Sequence, residues 1–194
     1  MAKLYFRYGA MNSGKSTLLL QTAHNYEEQD MKVIIVKPSV DTKGEQKVVS
    51  RIGAERKVDV LLGPEDDISK IVINDYPDVS CVLVDEAQFL QPKQVDQLMA
   101  VVLEMDIPVI CYGLRTDFLT KGFPGASRLL ELAHSIEEMK TICKCGRKAI
   151  FNARFVDGEF TLDGDQVAID GEQSVTYQSM CGKCYTLNKN RLKK

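Results

Sequence analysis

No stretch of this 194-residue chain is apolar for long enough to span a membrane. The N-terminus lacks the basic and then apolar organisation of a signal peptide. There is no excess of positive charge: 25 Lys and Arg stand against 27 Asp and Glu, a net charge of −2. That balance argues against a protein built to coat nucleic acid, and the short basic run Asn190-Arg191-Leu192-Lys193-Lys194 reads as a solvated terminus. Internal repeats and low-complexity segments are absent too. A cytoplasmic protein is expected, without membrane or nucleic-acid partners. In a reducing compartment its paired cysteines point to a metal rather than to disulfides. The composition, 44% hydrophobic and 27% charged, suits one main domain with a small appendage.

What is present begins with Gly9-Ala10-Met11-Asn12-Ser13-Gly14-Lys15-Ser16, which fits G-x-x-x-x-G-K-[ST], the phosphate-binding loop or P-loop. Several backbone N–H groups must turn inward around one anion, and glycines at positions 9 and 14 are expected to permit this through positive φ. Lys15 can reach the outer phosphates, and the Ser16 hydroxyl can ligate Mg²⁺. Residues 3–8 read as a strand, and residues 16–29 as a helix aiming its positive end at the phosphates.

Strand and helix signals alternate along the next hundred residues. Strands are expected at 32–36, 58–62, 81–84 and 107–112, and helices near 68–73, 92–103 and 126–133. Repeated alternation predicts a parallel sheet with helices on both faces. The first strand, its helix and the 32–36 strand form a βαβ unit. Cys81 and Cys111 fall inside strands and read as small core residues. The polar segment 40–57, with Asp41-Thr42-Lys43 and Ser50-Arg51, leaves the C-terminal end of a strand, the edge where ligands gather in open α/β sheets.

Asp85-Glu86 follows the apolar run Cys81-Val82-Leu83-Val84, as in a Walker B element. The strand is expected to deliver Asp85 beside the first strand's loop, where its carboxylate holds Mg²⁺. Glu86 is then free to act as a base, toward either water or a substrate alcohol.

Near residue 140 the composition changes. Cys143-Lys144-Cys145-Gly146 and Cys181-Gly182-Lys183-Cys184 form two tight pairs, and four thiolates suit a structural Zn²⁺ site. Between them, residues 149–156, 159–162, 167–169 and 174–180 have strand composition, separated by Asp-Gly turns. The metal would clamp the base of a long β-loop.

In this order, the loop at 9–16, Val84-Asp85-Glu86-Ala87-Gln88-Phe89, Tyr112-Gly113-Leu114-Arg115-Thr116-Asp117-Phe118 and the two cysteine pairs resemble the zinc-containing thymidine kinases over residues 3–187. The resemblance implies an α/β fold: a P-loop, RecA-like parallel sheet flanked by helices (residues 1–140), with a small zinc-stabilised β-ribbon and lasso loop (residues 141–194). It implies phosphoryl transfer from ATP to the 5′-hydroxyl of thymidine, with Glu86 taking the hydroxyl proton. Gly9, Ala10, Met11, Asn12, Ser13, Gly14, Lys15, Ser16, Asp85 and Gln88 would contact the donor nucleotide, and Ser16 and Asp85 would manage Mg²⁺. Met11, Leu114, Phe118, Phe123, Val167, Ala168, Ile169 and Tyr177 would contact thymidine. Cys143, Cys145, Cys181 and Cys184 would hold zinc. A homotetramer inhibited by the triphosphate end product, dTTP, is implied as well. The sequence departs from many relatives in its C-x-C first pair and in Lys43, where an arginine is usual. The competing reading is a motor ATPase acting on nucleic acid, since Asp85-Glu86-Ala87-Gln88 also looks like a helicase box. A chain of this size and charge leaves little room for the second unit and basic surfaces such motors need.

Overall fold

The structure is a computed structural model that describes residues 1–39, 47–164, 166 and 174–192. Its first part alternates as the apolar pattern requires. β1 (Leu4–Tyr8) leads through the phosphate loop into α1 (Lys15–Glu27), then β2 (Val33–Pro38). A small antiparallel ribbon follows, β3 (Lys47–Val49) with β4 (Glu55–Lys57), and then β5 (Val60–Leu62) and α2 (Ile68–Asp75). β6 (Cys81–Val84), α3 (Pro92–Met105), β7 (Val109–Gly113), α4 (Pro124–Leu132) and β8 (Ser135–Glu138) complete it. The main sheet is parallel, with strand order β5-β2-β6-β7-β1-β8.

Both faces of this sheet are covered, so its central strands are apolar at every position rather than alternately. Ile34, Val36, Val82, Val84, Val109 and Cys111 face α2, α3 and α4. Their neighbours Val33, Ile35, Cys81, Leu83, Ile110 and Tyr112 face α1 and the β3–β4 ribbon. Each fully buried aliphatic side chain contributes about 1.5–3 kcal/mol. Cys81 and Cys111 are buried in this core as expected, and burial pushes both thiols upward, Cys81 to about 11.

One expectation needs correction, the pairing of the first and the 32–36 strands that a βαβ unit implies. β1 and β2 are parallel members of one sheet but do not pair, because β6 and β7 lie between them. β7 also separates β1 from the acid-bearing strand β6, which nonetheless brings Asp85 within electrostatic reach of Lys15 in the first strand's loop. A long crossover between parallel strands need not land on the adjacent position, and the apolar strands β6 and β7 take the most buried places.

Beyond β8 the chain makes β9 (Thr141–Ile142) and β10 (Lys148–Ala149), a short hairpin. Then come β11 (Phe151–Val156), β12 (Glu159–Thr161) and β13 (Val175–Met180), an antiparallel sheet of order β12-β11-β13. α5 (Gly182–Arg191) follows the second cysteine pair. This part has its own small core around Ala149, Ala153, Met180, Tyr185 and the cysteines, with Phe151, Phe155 and Phe160 packed against it. The expected strand at 167–169 and the segment Asp41-Thr42-Lys43 lie outside the described residues.

Candidate active site

The phosphate loop opens at the C-terminal end of β1. Gly14 caps α1 with φ of 82°, a left-handed conformation that a glycine adopts freely. Gly9 is a glycine for a different reason than expected. It is not at positive φ, but a Cβ there would lie 2.4 Å from Ser13 Oγ and 2.5 Å from the Met139 carbonyl. The second left-handed residue of the loop is Asn12, with φ of 65°.

Lys15 Nζ donates to the carbonyls of Gly9 (3.3 Å) and Ala10 (3.0 Å) and to Ser13 Oγ (3.3 Å). Burial lowers its pKa below the ordinary lysine value; the charges of Glu86 and Asp85 oppose that shift, and the Arg51 guanidinium adds to it. The ammonium is thus bonded to the loop and within electrostatic reach of both acids. Asp85 is itself nearly buried, and desolvation and its neighbour Glu86 push its pKa well above the ordinary carboxylate range. A buried carboxylate in that condition favours a cation. With the Ser16 hydroxyl it offers the hard oxygen donors that suit Mg²⁺.

Glu86, two residues past the end of β6, has a left-handed conformation, φ 49° and ψ 39°. A cavity of about 350 Å³ is lined by Met11 to Thr17 of the loop, by Glu86 and Leu114, and by Val49, Arg51 and Ile52 from the β3–β4 ribbon. The polar segment after β2 therefore does reach the candidate donor site. Arg51 lies in the turn between β3 and β4, which the buried Ser50 closes by accepting the Ala54 N–H on its Oγ at 3.0 Å.

Gln88 does not line that cavity. It is buried, donates from Nε2 to Glu86 Oε2, and accepts the Leu114 N–H on Oε1 at 3.0 Å. Among the residues expected to contact the nucleoside, Met11 and Leu114 line the cavity. Phe118 and Phe123 are almost fully buried. Phe123 meets Phe89 edge-on at 5.5 Å, and Phe118 lies under the Arg154 guanidinium at 5.1 Å. Tyr177 sits on β13 opposite Arg154. Val167, Ala168 and Ile169 lie outside the described residues.

The four paired cysteines converge: the sulfurs of Cys143, Cys145, Cys181 and Cys184 all lie within 4.8 Å of one another. A tetrahedral zinc thiolate site has sulfur–sulfur edges of about 3.8 Å, and Cys145 Sγ lies 3.5 Å from Cys181 Sγ. Cys143 takes part although its pair is C-x-C, because the chain turns back at once, with Cys143 N–H bonded to the Arg147 carbonyl at 2.8 Å. The hydrogen bond from the Arg147 backbone and those from neighbouring thiols pull Cys145 down to about 6, whereas Cys184, last among clustered thiols, is pushed to about 12. Four thiols cannot ionise together at this spacing without a cation, so the donor set fits zinc.

Comparison with known proteins agrees with this geometry. The family model described as thymidine kinase matches residues 2–185. The chain belongs to the thymidine kinase family. The thymidine kinase of Chromobacterium violaceum is 48% identical over 187 residues, 95% of this chain and 98% of that one. The thymidine kinase of Ruegeria pomeroyi is 47% identical over 94% of this chain and 93% of its own. Among solved structures, the AMPPCP-bound DnaA from Aquifex aeolicus shares 19% identity at a TM-score of 0.42, over 72% of this chain and 40% of that one, a likeness too distant to bear on function. Thymidine kinase membership accounts for the resemblance of the motifs, but sequence reasoning did not foresee what Gln88 holds. The one signal available was a second amide-bearing residue two positions past the candidate base.

Proposed function

We propose that this chain transfers the γ-phosphoryl group of ATP to the 5′-hydroxyl of thymidine. The observation that carries the reading is the shared cavity. A phosphate loop and the Glu86 carboxylate line one space, and Lys15 responds to both acids. The backbone amides of the loop hold the donor phosphates at the N-terminus of α1. Lys15, now bonded to loop carbonyls, exchanges them for phosphate oxygens. Glu86 takes the proton as the 5′-oxygen bonds to the γ-phosphorus, and the bond to the β-phosphate oxygen breaks to release ADP. Arg51 adds a planar cationic fork on the ribbon side of the same cavity.

Ser16 and Asp85 would hold Mg²⁺, which when bound neutralises charge on the donor phosphates. Cys143, Cys145, Cys181 and Cys184 would hold zinc, which when bound lends the small second core its folding energy. On this reading residues 141–194 act as a unit appended to residues 1–140. Tyr177 and residues 167–169 would contact the nucleoside, with Met11, Leu114, Phe118 and Phe123 lining its pocket. Feedback by dTTP and assembly as a homotetramer in the cytoplasm belong to the same reading and are supported by family membership.

The test offers nucleosides in parallel with ATP and Mg²⁺ and separates the products by chromatography. ADP and thymidine monophosphate should form in equal amounts from wild-type protein. Glu86→Gln should still bind ATP and lose turnover by roughly 100-fold or more, the usual scale of a general base. Full activity in that variant would remove Glu86 from this role. ATP hydrolysis stimulated by DNA, without any nucleoside product, would overturn the reaction itself.

A further inference from the structure

Met11 is the third residue of the phosphate loop, and both polar groups of its backbone are held from the cysteine-bearing part of the chain. Its N–H donates to Asn152 Oδ1 at 2.8 Å. Its carbonyl accepts the Ser179 hydroxyl. Asn152 and Ser179 are direct cross-strand partners on β11 and β13, so their side chains project from the same face. Asn152 is buried, and its Nδ2 donates to the Thr116 carbonyl at 3.2 Å, in the segment that follows β7. The next loop residue is gripped as well, because Thr141 Oγ1 donates to the Asn12 carbonyl at 3.3 Å.

These contacts bear on anion binding. A phosphate loop works only if successive peptide planes are set so that its amides converge on one point. The Met11 N–H is spent on Asn152 and is turned away from the phosphates, which sets the plane of the Ala10–Met11 peptide. The Met11 carbonyl, spent on Ser179, sets the plane of the next peptide. That peptide leads into Asn12, whose backbone is left-handed, a conformation that asparagine adopts more readily than most residues with a Cβ. These backbone groups of Met11 and Asn12 are held by side chains of β9, β11 and β13 rather than of the main sheet.

We propose that Asn152 and Ser179 are positioning residues for the donor site: they set the phosphate loop from the cysteine-clamped sheet, so that nucleotide affinity depends on this grip before any nucleoside is bound. The inference rests on the loop being the donor site and adds a structural link between the two substrates' halves of the molecule. Binding free energies are linked, so whatever orders β11 and β13 also tightens the nucleotide.

The experiment is calorimetric titration of ADP and Mg²⁺ into full-length, zinc-loaded protein with no nucleoside present. Ser179→Ala should weaken ADP binding by about fivefold, the scale of one neutral hydrogen bond. Asn152→Ala, which releases both Met11 and Thr116, should weaken it more. Ser179→Thr keeps the hydroxyl and should restore the affinity. A purely structural role would lower the unfolding temperature of the variants and leave ADP affinity of the folded fraction unchanged. ADP affinity within twofold of wild type in both Ser179→Ala and Asn152→Ala would overturn the proposal. Should Asn152→Ala fail to fold, Ser179→Ala alone decides, since Ser179 is only partly buried. Thymidine does not enter this measurement, so a wild-type protein that fails to phosphorylate it would sink the proposed reaction and leave the grip to be judged on ADP alone.

Discussion

Gln88 donates from Nε2 to the Glu86 carboxylate at 2.5 Å while its Oε1 accepts the amide of Leu114 at 3.0 Å. The second bond decides which end of the amide faces Glu86. With the oxygen committed to a backbone N–H, the nitrogen must point at the carboxylate, and the carboxylate is held in one orientation. Leu114 follows the last residue of β7, so the candidate base is tied to the strand that separates β6 from β1.

Removing that tie should misplace the base without removing it. Gln88→Leu is expected to lower kcat roughly 10- to 100-fold, the scale of a small misplacement of a catalytic group. KM for ATP should change little, because Gln88 does not line the cavity. Steady-state kinetics with both substrates varied would check this. A rise in the KM for ATP with unchanged kcat would instead make Gln88 a nucleotide contact.

Arg51 stands in the turn of an exposed ribbon and lines the cavity beside Lys15. Arg51→Ala should leave the unfolding temperature almost unchanged and weaken turnover by tenfold or more, since a cationic clamp on a transferring phosphoryl group acts mainly in the transition state. Arg51→Lys should recover only part, because the planar fork is lost. Unchanged kcat in Arg51→Ala would show that the guanidinium faces solvent during the reaction.

Gly125 lies where α4 meets the turn Ala87–Phe89. A Cβ there would stand 2.6 Å from the Leu90 carbonyl, 2.7 Å from that of Ala87 and 3.0 Å from that of Gln88. All three are backbone atoms and yield little. Gly125→Ala should cost about 1–3 kcal/mol, the usual scale of overpacking, seen as a lowered unfolding temperature. Because the displaced turn carries Gln88, kcat should fall as well. A variant as stable and as active as wild type would show that α4 shifts freely.

Chelation of the metal should act first on the second core. That core has few members, and four of its six buried residues are cysteines or small alanines. Removing zinc should loosen residues 146–180 to protease while the main sheet stays protected, as followed by limited proteolysis and mass spectrometry. An unchanged cleavage pattern would argue against the clamp.

Local features were legible in the residues themselves. The phosphate loop, the apolar strands and the two cysteine pairs each lie within a few consecutive positions, and each has a chemistry that few other residues supply. Ser135–Glu138 was not legible, because its polar composition makes it a strand only through pairing with β1 at the sheet edge. The helix Gly182–Arg191 escaped for a related reason: Tyr185 is its only fully buried residue, so it has no apolar stripe to read.

By itself, then, the sequence determined that a phosphate-binding loop would open the chain, that an acidic pair would follow a buried strand, and that four thiols would stand in two close pairs suited to a metal. Only the tertiary structure decided that β6 and β7 separate β1 from β2, that Gln88 holds Glu86, and that Asn152 and Ser179 grip Met11. Short motifs are specified by neighbours along the chain. Strand order and bonds spanning more than a hundred residues are decided by which faces can be buried together, and no local stretch carries that information.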